Sequence, residues 1–306
     1  MSFSAEVKNE LCRIQPAKAC CALAELYGMV LYASVLSGQE IRVYTGTPRL
    51  SRRILSLSEA VLGETLPWEV SGGEGRSSVA LTDREAVKKL CARFDYDVSA
   101  QVAWHLNGWH LIEDCCRGAF LRGIFLTGGY AADPEKGYTL EISGTHAALT
   151  REVSALLGEM ELSPGCVRRR DEHVLYYKDA DRIEAFLTRA GAHRAVIRLM
   201  EARVIREMRN RINRKVNCET SNQFRTLDTA GDQLDAIAAL RAAGELERLD
   251  DTLREAARLR EEHPEATLAE LAALAEPPVS KSGFNHRMRR LTALAAELRP
   301  EKKEDR

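Results

Sequence analysis

The side chains best suited to chemistry lie near the C-terminus, where cations and amides share one face of a predicted helix. Phe284, Met288 and Leu291 recur at i, i+4 and i+7, so they share an apolar face. At about 100° per residue, the opposite face and its flanks carry Lys281, Ser282, Asn285, His286, Arg289 and Arg290. Arginine and lysine bind phosphates or guanine edges, and asparagine suits adenine. This pattern is typical of a helix that enters a nucleic-acid groove.

A short helix and a tight turn precede this face. Thr267 can cap a helix whose apolar edge of leucines begins at Leu268. Pro277-Pro278 stop that helix, and Ser280 is a suitable cap for the next one. The order predicts a helix-turn-helix whose second helix reads the groove. From this stretch alone, a small helical hairpin with a solvated basic face is an equally good interpretation.

A second cationic stretch lies upstream, at residues 201–225. It holds seven cations and three acids with amide side chains between them, although the formal net charge of the chain is only −1. The candidates for DNA contact are Arg206, Arg209, Arg214 and Lys215. The alternative is an exposed connecting helix with solvated arginines. Proximity to the helix-turn-helix favours contact with nucleic acid.

Length and composition limit the class of protein. The 306 residues are 45% hydrophobic and 29% charged, which suits a soluble protein with two domains, or a duplicated domain plus a small one. No apolar run could span a bilayer, and the charged N-terminal stretch does not resemble a signal peptide. We therefore expect a cytoplasmic protein whose DNA affinity comes from local clusters of charge.

The eight cysteines include no C-x-x-C pair, so the spacing of a zinc ribbon is missing. Cys20-Cys21 and Cys115-Cys116 are adjacent doublets. Convergence of these four thiols on zinc is conceivable, but adjacent cysteines seldom chelate one metal together. Reduced, buried thiols are the favoured interpretation, and we expect neither a metal nor a cofactor.

An internal repeat covers roughly residues 1–190. A shift of about 95 residues superimposes Cys20-Cys21 on Cys115-Cys116 and Gly28 on Gly123, and later segments follow in the same register. Each copy has the predicted order α-β-β-α-β-β-α. The copies begin with helices at residues 19–34 and 115–128, and their closing helices start at the caps Asp83 and Asp179.

The two leading helices carry small residues at helical spacing. Glycine inside a helix costs about 1 kcal/mol relative to alanine, so Gly28 and Gly123 at equivalent points imply a packing reason. We expect the two helices to pack on each other and to join the copies. Beyond the repeat, further helices are predicted at residues 229–240 and 246–262, separated by Gly244.

Residues 26–34 and 121–129 resemble the LAGLIDADG motif of homing endonucleases. Further blocks at 3–11, 213–219 and 279–287 are, in that order, similar to the WhiA family of bacterial sporulation and cell-division transcription regulators. That family joins a LAGLIDADG-like double domain to a C-terminal helix-turn-helix. The resemblance covers essentially the whole chain and implies an α+β double domain followed by an all-α domain.

The departures from the motif decide the expected chemistry. In active homing endonucleases the penultimate residue of each motif is an acid that binds a divalent metal. Ala33 and Gly128 stand at these positions, and neither can bind a hard cation, which prefers carboxylate oxygen. Asp133 and Glu40 follow the motifs but are expected in turns. The resemblance therefore implies a nuclease scaffold without nuclease activity.

The predicted sheets carry mixed charge, which is poor for neutralising phosphates. They offer Arg42, Arg76 and the arginines at 168–170, together with Glu69, Glu74, Glu141, Asp171 and Glu172. Weak DNA binding and reuse as a protein or ligand surface both remain open.

These patterns predict five segments: a first LAGLIDADG-like half (1–112), a second half (113–190), a basic helical connector (191–228), a helix-turn-helix domain (229–300) and a tail (301–306). Asn285, His286 and Arg289 are expected at base edges, and Lys281, Arg287 and Arg290 at phosphates. The resemblance implies a regulator at promoters for cell division, chromosome segregation or sporulation.

We expect a monomer at the nucleoid that binds double-stranded promoter DNA and has a second transcription regulator as a further partner. Two alternatives are a divergent metal-dependent homing-type endonuclease, and an adaptor that holds DNA without sequence preference.

Overall fold

The computed structural model describes residues 2–73, 76–99 and 103–298, without the side chains of Arg76 and Gln223. The chain divides into two compact units, Met1–Glu207 and Met208–Arg306, called here the N-terminal and C-terminal units. The predictions for Glu74 and for the tail (301–306) fall outside the described residues. Within the described ranges, no helix is long and apolar enough to cross a membrane.

The N-terminal unit contains the predicted repeat, preceded by α1 (Phe3–Leu11). The first copy consists of α2 (Ala19–Leu31), β1 (Val35–Leu36), β2 (Ile41–Thr45), α3 (Pro48–Leu62), β3 (Glu69–Gly73), β4 (Arg76–Leu81) and α4 (Arg84–Ala92). The second consists of α5 (Asp114–Gly128), β5 (Gly129–Ala131), β6 (Leu140–Gly144), α6 (Ala147–Glu159), β7 (Gly165–Arg169), β8 (Glu172–Tyr177) and α7 (Ala180–Ala190). Each copy forms an antiparallel sheet, in the order β1-β2-β4-β3 and β5-β6-β8-β7. The duplicated α+β fold is confirmed.

Local side-chain chemistry starts the closing helices as predicted. The carboxylate of Asp83 accepts the N–H of Ala86 at 2.8 Å, and that of Asp179 accepts the N–H of Arg182 at 3.0 Å. The predicted end of the first leading helix needs correction. Since Tyr32 leaves helical geometry (φ −106°, ψ 22°), α2 ends at Leu31 and Ala33 lies beyond the helix.

The leading helices α2 and α5 pack directly on each other, as the paired glycines predicted. A Cβ at Gly28 would lie 2.7 Å from the carbonyl oxygen of Phe120. A Cβ at Gly123 would lie only 2.1 Å from the carbonyl oxygen of Glu25. No side chain fits at this crossing, so the close approach of the two copies depends on both glycines.

A buried ion network crosses the same helix pair. The fully buried carboxylate of Glu25 accepts two hydrogen bonds from Arg53 on α3, at 2.7 and 2.8 Å. Arg122 on α5 donates to the same carboxylate at 2.8 Å and to the carbonyl of Ala190 at 3.0 Å. One side chain thus connects α2, α3 and α5, and Arg122 extends the network to the end of α7.

The C-terminal unit is helical. Its first helix is the part of α8 (His193–Ala242) from residue 208 onwards. The separate helix predicted at residues 229–240 is wrong, because α8 continues through residue 228 without a break. No proline interrupts this segment, so the capping residues near Thr229 do not start a new helix. Gly244, with φ +70°, follows the end of α8 as predicted.

Three shorter helices complete this unit: α9 (Asp251–Glu262), α10 (Leu268–Leu274) and α11 (Lys281–Glu297). Its core is formed by apolar side chains from all four helices, including Ile237, Leu240, Leu253, Ala257, Leu271, Phe284, Met288 and Leu291. The predicted all-α helix-turn-helix architecture, with α10 and α11 as its two helices, is confirmed.

Candidate nucleic-acid interface

The apolar face of α11 fixes the orientation of this helix. The hydroxyl of Ser280 accepts the N–H of Gly283 at 3.1 Å and caps the helix, as predicted. Phe284, Met288 and Leu291 are fully buried against the rest of the C-terminal unit. With the cap and this face held, the remaining faces of α11 have a defined direction.

The opposite face of α11 is available to a partner. The side chains of Lys281, Ser282, His286, Arg289 and Arg290 are exposed, and Asn285 is half-buried at the edge of this face. No acidic residue occurs between Pro277 and Ala296, so the face is cationic along most of its length. Cations and an amide on one exposed helix face can hydrogen-bond phosphates and base edges.

A capping box starts α10. The hydroxyl of Thr267 accepts the N–H of Glu270 at 3.3 Å, and the Glu270 carboxylate accepts the N–H of Thr267 at 2.7 Å. Hydrogen bonds from the backbone and hydroxyl of Thr267 lower the pKa of the Glu270 carboxyl. The N–H of Val279 donates to the carbonyl of Ala272 at 3.0 Å. The capping box holds the start of α10, and the bond from Val279 to Ala272 spans the turn between α10 and α11.

Arg260 on α9 is a buried residue that supports the helix-turn-helix. The sequence analysis did not identify it. It is only 2% exposed, and its Nε donates to the amide oxygen of Gln233 at 3.0 Å. One terminal nitrogen donates to the carbonyls of His263, Pro264 and Ala266, at 2.7 Å to the last. Burial lowers the pKa of this guanidinium. The residue therefore fixes the segment that leads into α10.

Glu255 on α9 links the turn to α11. Its carboxylate accepts the N–H of Glu276 at 2.6 Å and an N–H of Arg287 at 3.1 Å. Both side chains of this ion pair are only 18% exposed. Arg287, predicted as a phosphate contact, would have to release Glu255 before it could bind a phosphate. Its present contacts position α11.

The exposed part of α8 adds cations to the C-terminal unit. Arg209, Arg211, Arg214 and Lys215 are all exposed, and between residues 209 and 225 five cations face a single acid. Lys215 lies 3.9 Å from Glu219, a solvent-exposed pair of little strength. Further along, Asn222 and Arg225 share a groove of about 490 Å³ with Lys281 at the start of α11. The two cationic stretches thus meet at one groove within this unit.

Arg206, the remaining candidate on α8, belongs to the N-terminal unit and is already engaged there. It donates to the carbonyls of Pro134 and Glu135 at 3.1 and 3.0 Å. Its guanidinium also lies 4.5 Å from the centre of the Tyr138 ring. These contacts compete with phosphate for the same group, which makes Arg206 less suited to DNA than Arg209 or Arg214.

The two motif positions, 33 and 128, hold no carboxylate, and position 128 leaves no room for one. A Cβ at Gly128 would lie 2.6 Å from the carbonyl oxygen of Ser143 and 3.0 Å from the ring of Tyr32. Ala33 is 6% exposed, and its N–H donates to the carbonyl of Val30. The buried ring of Tyr32 therefore fills the space beside Gly128. Simple replacement of Gly128 by an acid would not fit this backbone.

Several arginine side chains on the sheets of the N-terminal unit already form ion pairs or hydrogen bonds with nearby groups. The Arg169 guanidinium forms two hydrogen bonds with the Glu141 carboxylate, at 2.9 and 2.8 Å, and Arg42 pairs with Glu40 at 2.5 Å. The Arg168 Nε donates to the backbone carbonyl of Arg170 at 3.2 Å. Since Arg42, Arg168 and Arg169 are already paired with an acid or a carbonyl, this surface is less suited to phosphate than the exposed cations of α8 and α11.

Comparison with known proteins agrees with the division of the chain into an N-terminal and a C-terminal unit. Residues 117–209 match the model of the WhiA LAGLIDADG-like domain, and residues 212–295 match that of the WhiA C-terminal HTH domain. A "Probable cell division protein WhiA" from Symbiobacterium thermophilum is 40% identical, over 97% of this chain and 98% of its own. A protein of the same name from Alkaliphilus metalliredigens is 35% identical, over 96% and 98%. The crystal structure of "full-length DUF199/WhiA from Thermatoga maritima" has the same fold, with a TM-score of 0.59 at 23% identity, and covers 98% of this chain and 100% of that chain.

Proposed function

This chain belongs to the WhiA family, and on that premise we propose that it is a sequence-specific, DNA-binding transcription regulator. The observation that carries the proposal is the exposed, acid-free face of α11 on a helix-turn-helix whose other face is fully buried. The relatives' name of cell division protein supports a role at promoters for cell division, chromosome segregation or sporulation.

In the proposed complex, α11 lies in the major groove of promoter DNA. Asn285, His286 and Arg289 contact base edges, while Lys281, Ser282 and Arg290 contact the sugar-phosphate backbone. Arg209, Arg214 and Lys215 on α8 add backbone contacts that raise affinity without reading sequence. The protein acts as a cytoplasmic monomer at the nucleoid.

The LAGLIDADG-like domain has no nuclease activity in this proposal. Its two motif positions hold Ala33 and Gly128, and the Tyr32 ring lies against Gly128, where a larger side chain would clash. Because divalent-metal catalysis of phosphodiester cleavage needs carboxylate ligands, this helix pair has lost the groups on which the chemistry depends. In this proposal the helix pair holds the two copies together, and the surfaces of the copies bind partners.

The test is selection of random duplexes with the full-length protein, with and without magnesium, followed by mobility shifts on the enriched motif. We expect one motif to be enriched and no cut product to form. Arg289→Ala should cost about 1–3 kcal/mol, or roughly 5- to 150-fold in Kd, and should relax preference at one base pair.

Arg258→Ala is the matched control, because Arg258 is an exposed arginine of α9 that pairs with Glu262 on its own helix. It should bind the motif as the parent does. Equal binding of the motif by parent and Arg289→Ala would refute the assignment of α11. Magnesium-dependent cleavage would refute the non-enzymatic reading of the double domain.

A further inference from the structure

Four cysteines from the two copies come together at one end of the helix pair. Cys20 and Cys21 lie in the first turn of α2, and Cys115 and Cys116 lie in the first turn of α5. Their four sulfur atoms all lie within 4.8 Å of one another. Cys21 and Cys116 are buried, while Cys20 and Cys115 face solvent, so the cluster is open on one side.

The spacing of these sulfurs suits one tetrahedral metal ion. Zinc–sulfur bonds of about 2.3 Å in a tetrahedron place the sulfurs roughly 3.8 Å apart. Sulfurs already within 4.8 Å reach that spacing through shifts of about 1 Å or less along flexible χ1 angles. Among the described residues, this is the only group of three or more histidine, cysteine or acidic side chains that converge in this way.

The ends of the two helices favour negative charge at this point. The cap residues Lys18 and Glu113 form no side-chain hydrogen bond to their helices, and the cysteines lie in the first turns, at the positive ends of the two helix dipoles. Lys18 adds a positive charge just before Cys20, whereas Glu113 and Asp114 add negative charge at the start of α5. A tetrathiolate ion with a net charge of about −2 gains from this field.

The thiols differ in how readily they ionise on their own. A hydrogen bond from Cys116 lowers the pKa of Cys20, whereas burial raises the pKa of Cys21 to about 11 and raises that of Cys116 further. Burial thus favours the protonated thiol at both buried positions. A bound divalent ion displaces these protons, as it does in other thiolate sites.

We propose that Cys20, Cys21, Cys115 and Cys116 bind a single zinc-class divalent ion as a closed, structural tetrathiolate site that clamps the two copies together. On binding, four thiols release four protons and form four metal–sulfur bonds, with no change of oxidation state. Because all four ligands come from the protein, no open position remains for substrate, and the ion stabilises rather than reacts. Four converging sulfurs favour this reading over the inert thiols that the sequence alone suggested.

The test uses untagged full-length protein, purified under reducing conditions and dialysed against micromolar zinc. Elemental analysis should find about one zinc per chain. Cobalt(II) should give the intense visible absorption of a tetrahedral thiolate complex. Chelation should lower Tm, since the ion binds the folded chain.

The test variant combines Cys20→Ser and Cys115→Ser. Because both cysteines are exposed, these substitutions leave the buried thiols and the helix packing intact. This double variant should lose zinc and the cobalt absorption while it keeps the parent's far-ultraviolet circular dichroism. Cys166→Ser with Cys218→Ser, which removes two exposed thiols elsewhere, should bind as the parent does. Free thiols without bound metal, a disulfide within the cluster, iron with sulfide, or full zinc in the double variant would each overturn the proposal.

Discussion

At the scale of single residues, the carboxylate of Glu25 has more influence on stability than any exposed charge near it. It is fully buried and accepts hydrogen bonds from Arg53 and Arg122. Removing one member of a buried ionic network leaves charge without compensation, so Glu25→Gln should lower the free energy of unfolding by about 3–5 kcal/mol. Glu64→Gln should lower it by less than about 1 kcal/mol, because the Glu64–Lys89 pair is half-exposed. Urea unfolding followed by circular dichroism measures both values, and equal midpoints would contradict the argument.

Residues that act on their own neighbours in sequence could be predicted. Asp83, Asp179, Thr267 and Ser280 cap helices through backbone N–H groups three residues ahead, and all four caps were predicted correctly. Glu25 and Arg260 could not be predicted in their roles. Their side-chain partners lie 27 to 97 positions away, so this pairing exists only after the helices have packed.

At the scale of elements, the crossing of α2 and α5 depends on backbone contact. Gly123→Ala would put a methyl group 2.1 Å from the Glu25 carbonyl, and the two helices would have to separate. Overpacking of this kind should cost about 1–3 kcal/mol, although alanine otherwise favours a helix. Gly137→Ala is the matched control, because a Cβ there meets nothing within 4 Å. A thermal melt in which both variants unfold like the parent would exclude this role for Gly123.

Arg260 makes a second prediction at this scale. Arg260→Met removes the donor shared by the carbonyls of His263, Pro264 and Ala266, and the loss of hydrogen bonds from a charged group costs about 1.5–3 kcal/mol. The amides of α10 should therefore exchange faster with deuterium, while those of α2 and α5 keep the parent rate. Arg258→Met, on the exposed side of α9, should leave exchange in α10 unchanged. If exchange became faster to the same extent in both units, the effect would be global, and Arg260 would not specifically fix the segment before α10.

At the scale of the whole molecule, the sequence predicted which domains the chain contains better than where individual helices begin and end. The repeat of about 95 residues gave the double domain, and the cap-helix-proline-cap order gave the helix-turn-helix. The continuity of α8 was not predicted, because a separate helix was expected from residue 229 although no proline interrupts the helix there. The sequence also gave too little weight to a meeting of the four cysteines, because their spacing along the chain does not show which helices pack together. Helix packing alone brings the two doublets together.

A net charge of −1 means that affinity for DNA must come from the local clusters, and this can be measured through its salt dependence. The slope of log K against log salt is about −0.9 per neutralised phosphate. Arg209→Ala with Arg214→Ala should therefore reduce the slope by about 2 and leave the preferred motif unchanged. Arg206→Ala should leave the slope as it is, because Arg206 is held by Pro134, Glu135 and Tyr138. Fluorescence anisotropy across a salt series distinguishes these outcomes. If Arg206→Ala reduced the slope and the double variant did not, the DNA backbone would contact the other end of the basic stretch.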